Sequence, residues 1–294
     1  MQPRPSELPD PQAWRDALGV RPDPAASVVW QDISASEQTC ALTSYGTTIA
    51  AHWLRPDGAE KGTVIIPFYE VASVLGRDSR RTRNRTADEV ANRAWGSQLL
   101  ARGYAVLIVP WWCEVEAALA NDAAEGLAER YTAPAARHLE RGVGTGLGRS
   151  LAELQQVLDA CLEHGVDPRI SAFGHSLGGK LSMFLGALDE RIGQVITHEP
   201  GLGLAHSNWT DPWYLGDTAT PADLDQLLAL VAPRPTLYVG GSDSDGLHNA
   251  DLAQAAIEAT QEGWLDTLVH NARHTPPPHV LAACWDWLDR SAAV

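Results

Sequence analysis

The sequence predicts an α/β chain: a mostly parallel, doubly wound sheet with helices on both faces. Three observations predict it. Short β-branched apolar runs alternate with longer amphipathic stretches along the chain, several of those stretches close on glycine, and one strand-like run passes through a glycine-rich turn straight into an apolar helix. At 294 residues, with 45% hydrophobic and 20% charged, the composition is that of an ordinary globular protein.

Prolines 3, 5, 9, 11, 22 and 24 crowd residues 1–26. Proline blocks continuous helix, so this stretch is expected to be an arm wrapped on the surface of a domain spanning 27–294. The runs VVWQDIS, TIAAHWL and TVIIPFY read as opening strands, and Arg55-Pro56-Asp57-Gly58 as a turn. TADEVANRAWGSQLLARG is amphipathic and closes on Gly103, ahead of the buried strand YAVLIVPWW. The same unit recurs as LAELQQVLDACLEHG before RISAFGH, GKLSMFLGALDER before GQVITHE, DLDQLLALV before TLYVGG, and ADLAQAAIEATQEG before LDTLVHN. HVLAACWDWLDR is a closing helix.

Strand–helix alternation implies right-handed crossovers, with ligands bound outside the carboxyl ends of the strands. Functional residues are therefore expected just after strands. Two segments break the rhythm: 113–145, punctuated by Pro134, Gly142, Gly144 and Gly146, and 200–221, rich in Gly, Trp, Asn and Asp. Both are expected to be loop or helical insertions over the site, as cap segments or walls.

The chain carries 22 Lys and Arg against 37 Asp and Glu, a net charge of −15. Nucleic acids and anionic membranes are polyanions that reward basic clusters, so neither is an expected partner. Cys40, Cys113, Cys161 and Cys284 lie far apart without a CxxC pair, which gives no zinc or redox motif and suggests free, buried thiols. The start MQPRPSELPDPQAW lacks a basic region followed by an apolar one, and no stretch approaches the roughly 20 apolar residues of a membrane span. A soluble, cytoplasmic protein is expected, with no metal and no cofactor, and a homodimer is a possible assembly.

The chemistry concentrates in RISAFGHSLGGK, where Gly174-His175-Ser176-Leu177-Gly178 has the form G-x-S-x-G. A strand runs into it and an apolar helix leaves it, which is the context of a nucleophile elbow: the glycines make room for the sharp turn and the serine hydroxyl stands exposed. The competing reading is a glycine-rich turn with an incidental serine. Ser176 needs a base, and the base needs an orienting carboxylate. His274, in the loop after LDTLVHN and before the final helix, is the expected base, ahead of His270 and His279. Asp245, directly before Gly246 in the loop after TLYVGG, is the favoured acid, with Asp243 and Glu199 as alternatives. The oxyanion donors expected are the main-chain N–H of Leu177 and that of Phe68 or Tyr69, since Pro67 has none.

These residues resemble the α/β-hydrolase superfamily, and within it the dienelactone-hydrolase-like and acetyl-xylan-esterase-like branch. The similar segments are IPFYEV, GHSLGGK followed by ALDERI, NWTDPWYLG, APRPTLYVGGSDSD and HTPPPH. The resemblance implies the α/β-hydrolase fold and hydrolysis of carboxylic esters, with Ser176 matching the nucleophile, Asp245 the acid and His274 the base. The acid loop reads SDSDG, so its aspartates align with a two-residue ambiguity, and some relatives take the acid from the preceding strand, which keeps Glu199 open.

Trp111, Trp112, Trp209, Trp213 and Tyr214 fall where a pocket wall should stand, suited to a flat or apolar group or a sugar; packing of loops onto the sheet is the alternative. The expected function is a serine hydrolase cleaving a small-molecule ester or lactone through an acyl-enzyme. A peptidase or acyltransferase using the same residues, and a noncatalytic ligand-binding protein of the same fold, are the rival readings.

Overall fold

The computed structural model describes residues 10–120, 127–204, 215, 218–241, 246–260, 263–272 and 274–291. Among them, nine strands form one sheet: β1 (Ser27–Asp32), β2 (Glu37–Ser44), β3 (Thr47–Leu54), β4 (Thr63–Phe68), β5 (Ala105–Pro110), β6 (Ile170–His175), β7 (Ile192–His198), β8 (Thr236–Gly241) and β9 (Leu265–His270). Their order across the sheet is β1-β2-β3-β5-β4-β6-β7-β8-β9. The pairs β1–β2, β2–β3 and β3–β5 are antiparallel, and every pair from β5 to β9 is parallel. Strands β4, β5, β6 and β8 are buried at every residue, which explains why they read as unbroken apolar runs rather than alternating ones.

The helices follow in chain order: α1 (Pro11–Leu18), α2 (Val71–Val74), α3 (Ala87–Arg93), α4 (Trp95–Ala101), α5 (Trp112–Leu119), α6 (Leu127–Leu139), α7 (Gly146–Glu163), α8 (Leu177–Leu188), α9 (Leu224–Ala229), α10 (Gly246–Glu258) and α11 (Pro278–Ser291). The alternation of β5 to β9 with α7 to α11 is the one the sequence predicts.

Three local features differ from the sequence reading. First, part of the proline-rich arm is a helix. Asp10 caps α1 by accepting from Gln12 N–H at 2.8 Å, and proline in the first turn needs no N–H partner, so Pro11 starts the helix rather than preventing it. Trp14 and Leu18 are fully buried, and Trp14 meets Phe184 of α8 edge-to-face at 5.8 Å.

Second, β2 was not expected; it pairs with β3 through a tight turn in which Tyr45 and Gly46 both have positive φ, 49° and 79°. Third, the amphipathic stretch before Gly103 is two helices. Thr86 and Glu89 form a capping box for α3, and Ala94, with ψ at 51°, leaves helical geometry before α4 begins.

After β5 the described part of segment 113–145 carries α5 and α6. Glu114 of α5 is buried and holds Arg130 of α6 at 2.7 Å and Arg80 at 3.1 Å, while the Tyr131 hydroxyl donates to the same carboxylate. That carboxylate joins the insertion to the segment between α2 and α3. Most of 200–221 lies outside the described residues. All four cysteines are buried and unpaired. Among the described residues, no helix is long and apolar enough to cross a membrane.

Candidate active site

Four residues lie at or just past the carboxyl ends of β6, β7 and β9: His175 and Ser176 at β6, Glu199 after β7 and His274 after β9, with the His175 ring 4.7 Å from that of His274. Ser176 stands between β6 and α8 with φ 57° and ψ −117°, a conformation that L-residues other than glycine rarely adopt. Its N–H donates to His198 carbonyl at 2.9 Å, and its own carbonyl accepts from Lys180 N–H at 3.0 Å, so the turn is pinned on both sides. The flanking glycines are sterically required. A Cβ at Gly174 would lie 1.9 Å from Gly178 O, and one at Gly178 would lie 2.2 Å from Pro67 O. The second approach also shows that the first turn of α8 is pressed against the carboxyl end of β4. Ser176 is partly exposed, and its hydroxyl makes no hydrogen bond among the described residues.

Glu199 is the residue after β7 and has φ 51°. Besides Tyr45 in the β2–β3 turn, Ser176 and Glu199 are the non-glycine residues with positive φ among the described residues, and both lie at the carboxyl edge of the sheet. Such strain concentrates at functional sites. Glu199 is buried; its N–H donates to Val239 carbonyl at 2.9 Å, and its carboxylate accepts from Gly241 N–H. Its other carboxylate oxygen lies 3.9 Å from His274 Nδ1. The His274 side chain is 47% exposed. Asp243 and Asp245 lie outside the described residues.

His175 and His198 sit in register on β6 and β7 with Nδ1 atoms 2.6 Å apart, and His198 Nε2 lies 3.0 Å from His270 Nε2 on β9. Burial pushes all three imidazoles toward the neutral form, with the neighbouring imidazoles adding to the effect at His175 and His198. The sequence reading weighed His270 only as a lesser base and did not single out His175 or His198. Their signal was present: each is the last residue of a strand that ends at the site.

Leu177 is the first residue of α8, where helix geometry leaves main-chain N–H groups without an intrahelical acceptor. Phe68 ends β4 and its carbonyl accepts from Trp111 N–H at 2.7 Å; Tyr69 follows, with the Arg81 guanidinium 3.4 Å above its ring. Trp111 and Trp112 are buried, and both indole N–H groups donate to Ser150 Oγ of α7, at 3.1 and 3.0 Å. They brace the end of β5 against α7, while Trp111 also packs on Tyr69 and Tyr131. Trp209, Trp213 and Tyr214 lie outside the described residues.

A mostly parallel sheet with an antiparallel edge, carrying a positive-φ serine on the turn from β6 into α8, is the α/β-hydrolase fold. Solved structures of esterases share it. A promiscuous CE15 esterase from a marine bacterial metagenome matches over 96% of this chain and 90% of its own, at 14% identity and TM-score 0.64. A CE15 glucuronoyl esterase from Teredinibacter turnerae T7901 matches over 96% and 83%, at 20% identity and TM-score 0.63. A protein from Klebsiella pneumoniae subsp. pneumoniae assigned as a dienelactone hydrolase matches over 91% and 99%, at 14% identity and TM-score 0.60. No protein-family model and no curated protein sequence matches the chain.

Proposed function

We propose that this protein is a serine hydrolase that cleaves a carboxylic ester or lactone through an acyl-enzyme. The observation that carries the reading is a strained, partly exposed Ser176 at the same carboxyl edge of the sheet as the Glu199–His274 pair.

Ser176 Oγ attacks the ester carbonyl carbon while His274 takes its proton. The N–H of Leu177, with that of Phe68 or Tyr69, receives the charge that develops on the carbonyl oxygen. Collapse of the tetrahedral intermediate breaks the bond to the alcohol, which leaves with the proton from His274. Water, deprotonated by His274, then releases the acid and restores Ser176. Glu199 is the proposed orienting acid, in the place the sequence reading favoured for Asp245: its buried carboxylate is held by Gly241 N–H and faces Nδ1 of His274. In this mechanism the half-exposed His274 ring turns toward Ser176 Oγ as substrate binds, since catalytic hydrogen bonds tighten in the complex.

An ester substrate is supported by the structural relatives, which include a CE15 glucuronoyl esterase and a protein assigned as a dienelactone hydrolase. Segment 113–145, rising from the carboxyl end of β5, is the proposed wall of the pocket. A cytoplasmic location is in keeping with four unpaired cysteines.

A panel of nitrophenyl esters, aminoacyl amides and acceptor alcohols tests the reaction class. Ester turnover that disappears in Ser176→Ala is the expected result; turnover that survives the substitution contradicts it.

A further inference from the structure

Three imidazoles lie under the site in a chain. Ala272 N–H donates to His270 Nδ1 at 3.3 Å. A neutral imidazole has one donor and one acceptor nitrogen, so the proton of His270 is on Nε2. That N–H points to His198 Nε2 at 3.0 Å, which puts the proton of His198 on Nδ1. It in turn donates to His175 Nδ1 at 2.6 Å. Every contact then holds one proton, in one direction, with no charge. Burial favours the uncharged form of all three rings.

The relay has to cross β8, which lies between β7 and β9. It does so over Gly241, where a Cβ would come 3.0 Å from His270 Cε1 and 2.4 Å from Glu199 Oε1. The same bare position therefore admits both the imidazole bridge and the Glu199 carboxylate.

His198, Glu199 and His270 also offer one nitrogen or oxygen each within 4.8 Å, a spacing that could hold a metal ion. The hydrogen bonds argue otherwise. Ligation through His270 Nε2 would move its proton to Nδ1, against the Ala272 N–H that points there at 3.3 Å, and would break the His270–His198 contact.

We propose that His198 is a positioning residue, the central link of a His175–His198–His270 relay that fixes the His175 ring packed near His274 and the His270 ring beside Glu199. The His175 ring, held by His198, lies 4.7 Å from that of His274, centroid to centroid. An uncharged His175 supports the base without opposing the imidazolium that forms on it during attack. The catalytic consequence rests on the proposed serine hydrolase; the relay itself does not.

Two substitutions separate hydrogen bonding from packing. His198→Phe keeps an aromatic ring and removes both bonds. His198→Gln has an amide able to accept from His270 and donate to His175. In His198→Phe, kcat on a nitrophenyl ester is expected to fall about 10- to 100-fold, the scale of a small misplacement of catalytic groups, with KM little changed. In His198→Gln most of the lost kcat returns. Wild-type kcat in His198→Phe, or a kcat in His198→Gln as low as in His198→Phe, overturns the proposal.

Histidine-selective 15N spectra of the full chain at neutral pH read the relay without any turnover, so they remain decisive if the wild type proves not to cleave esters. They are expected to show His198 as the Nδ1–H tautomer and His175 and His270 as Nε2–H. Any other assignment, or one equivalent of zinc retained after dialysis against the metal, overturns it.

Discussion

Glu199 and His274 face each other across the carboxyl edge of the sheet, with a carboxylate oxygen of the first 3.9 Å from Nδ1 of the second. The two residues come from opposite sides of β8: Glu199 follows β7, and His274 follows β9. The backbone of Glu199 is bent to positive φ and its side chain is anchored on Gly241 N–H, while the His274 side chain is half exposed. That division suits an acid that orients and a base that moves.

If Glu199 is that acid, Glu199→Gln should lower kcat about ten-thousandfold, the scale seen when the carboxylate of a triad is replaced by its amide. Asp243→Asn and Asp245→Asn should stay near wild type. Steady-state kinetics of the three variants on one ester decides between them. A comparable fall in Asp245→Asn alone would transfer the role to Asp245.

The turn around Ser176 has no room for side chains on its glycines. In Gly178→Ala the new Cβ would lie 2.2 Å from Pro67 O on β4, a main-chain atom that cannot swing aside. Forcing an added methyl into a packed interior costs about 1–3 kcal/mol, and here it also pushes α8 away from β4, the strand that ends at Phe68. Denaturant unfolding should show a loss of that size, with ester turnover lost as well. An unchanged midpoint would mean that α8 does not pack against β4 this closely.

Glu114 sits between Arg130 and Arg80 on the insertion, its side chain 6% exposed and that of Arg130 3%. Glu114→Ala leaves the Arg130 guanidinium buried without this partner, a change that costs about 3–5 kcal/mol. Thermal or denaturant unfolding measures it.

The same group sets a pH dependence. Burial raises the Glu114 carboxyl, but the hydrogen bonds from Arg130, Tyr131 and Arg80 outweigh it and hold the folded value below the ordinary 4.5. A carboxyl depressed by folding stabilises the protein above its unfolded value, and that stability disappears as pH falls through the folded one. Between neutral pH and values below 4.5, wild type should therefore lose more unfolding free energy than Glu114→Gln. Parallel pH profiles would contradict the assignment.

Much of the architecture is legible in the sequence because buried parallel strands and amphipathic helices carry different periods. Strand β2 escaped because EQTCALTS is polar and small, and its place is set by pairing with β3 rather than by an apolar pattern. Helix α1 escaped because proline was read as a breaker, whereas Pro11 follows the cap Asp10 and occupies the helix start. At the candidate site, Ser176 and His274 lie after β6 and β9, positions legible from the strand pattern. The Glu199 pairing does not, because which loop carboxylate meets His274 depends on how the ends of β7 and β9 approach one another across β8. The relay is less legible still: His198 is 23 residues from His175 and 72 from His270, and only the sheet order brings them together. Trp111 and Trp112 stand where the sequence put a pocket wall, but their indole N–H groups are turned to Ser150.

The central claim is that the Ser176 oxygen is a nucleophile. Intact mass and peptide mapping after treatment with a fluorophosphonate probe test it most directly. A single adduct on the peptide containing Ser176, absent in Ser176→Ala, is the expected result. Folded wild-type protein that stays unlabelled, or carries the adduct on another residue, would contradict the claim.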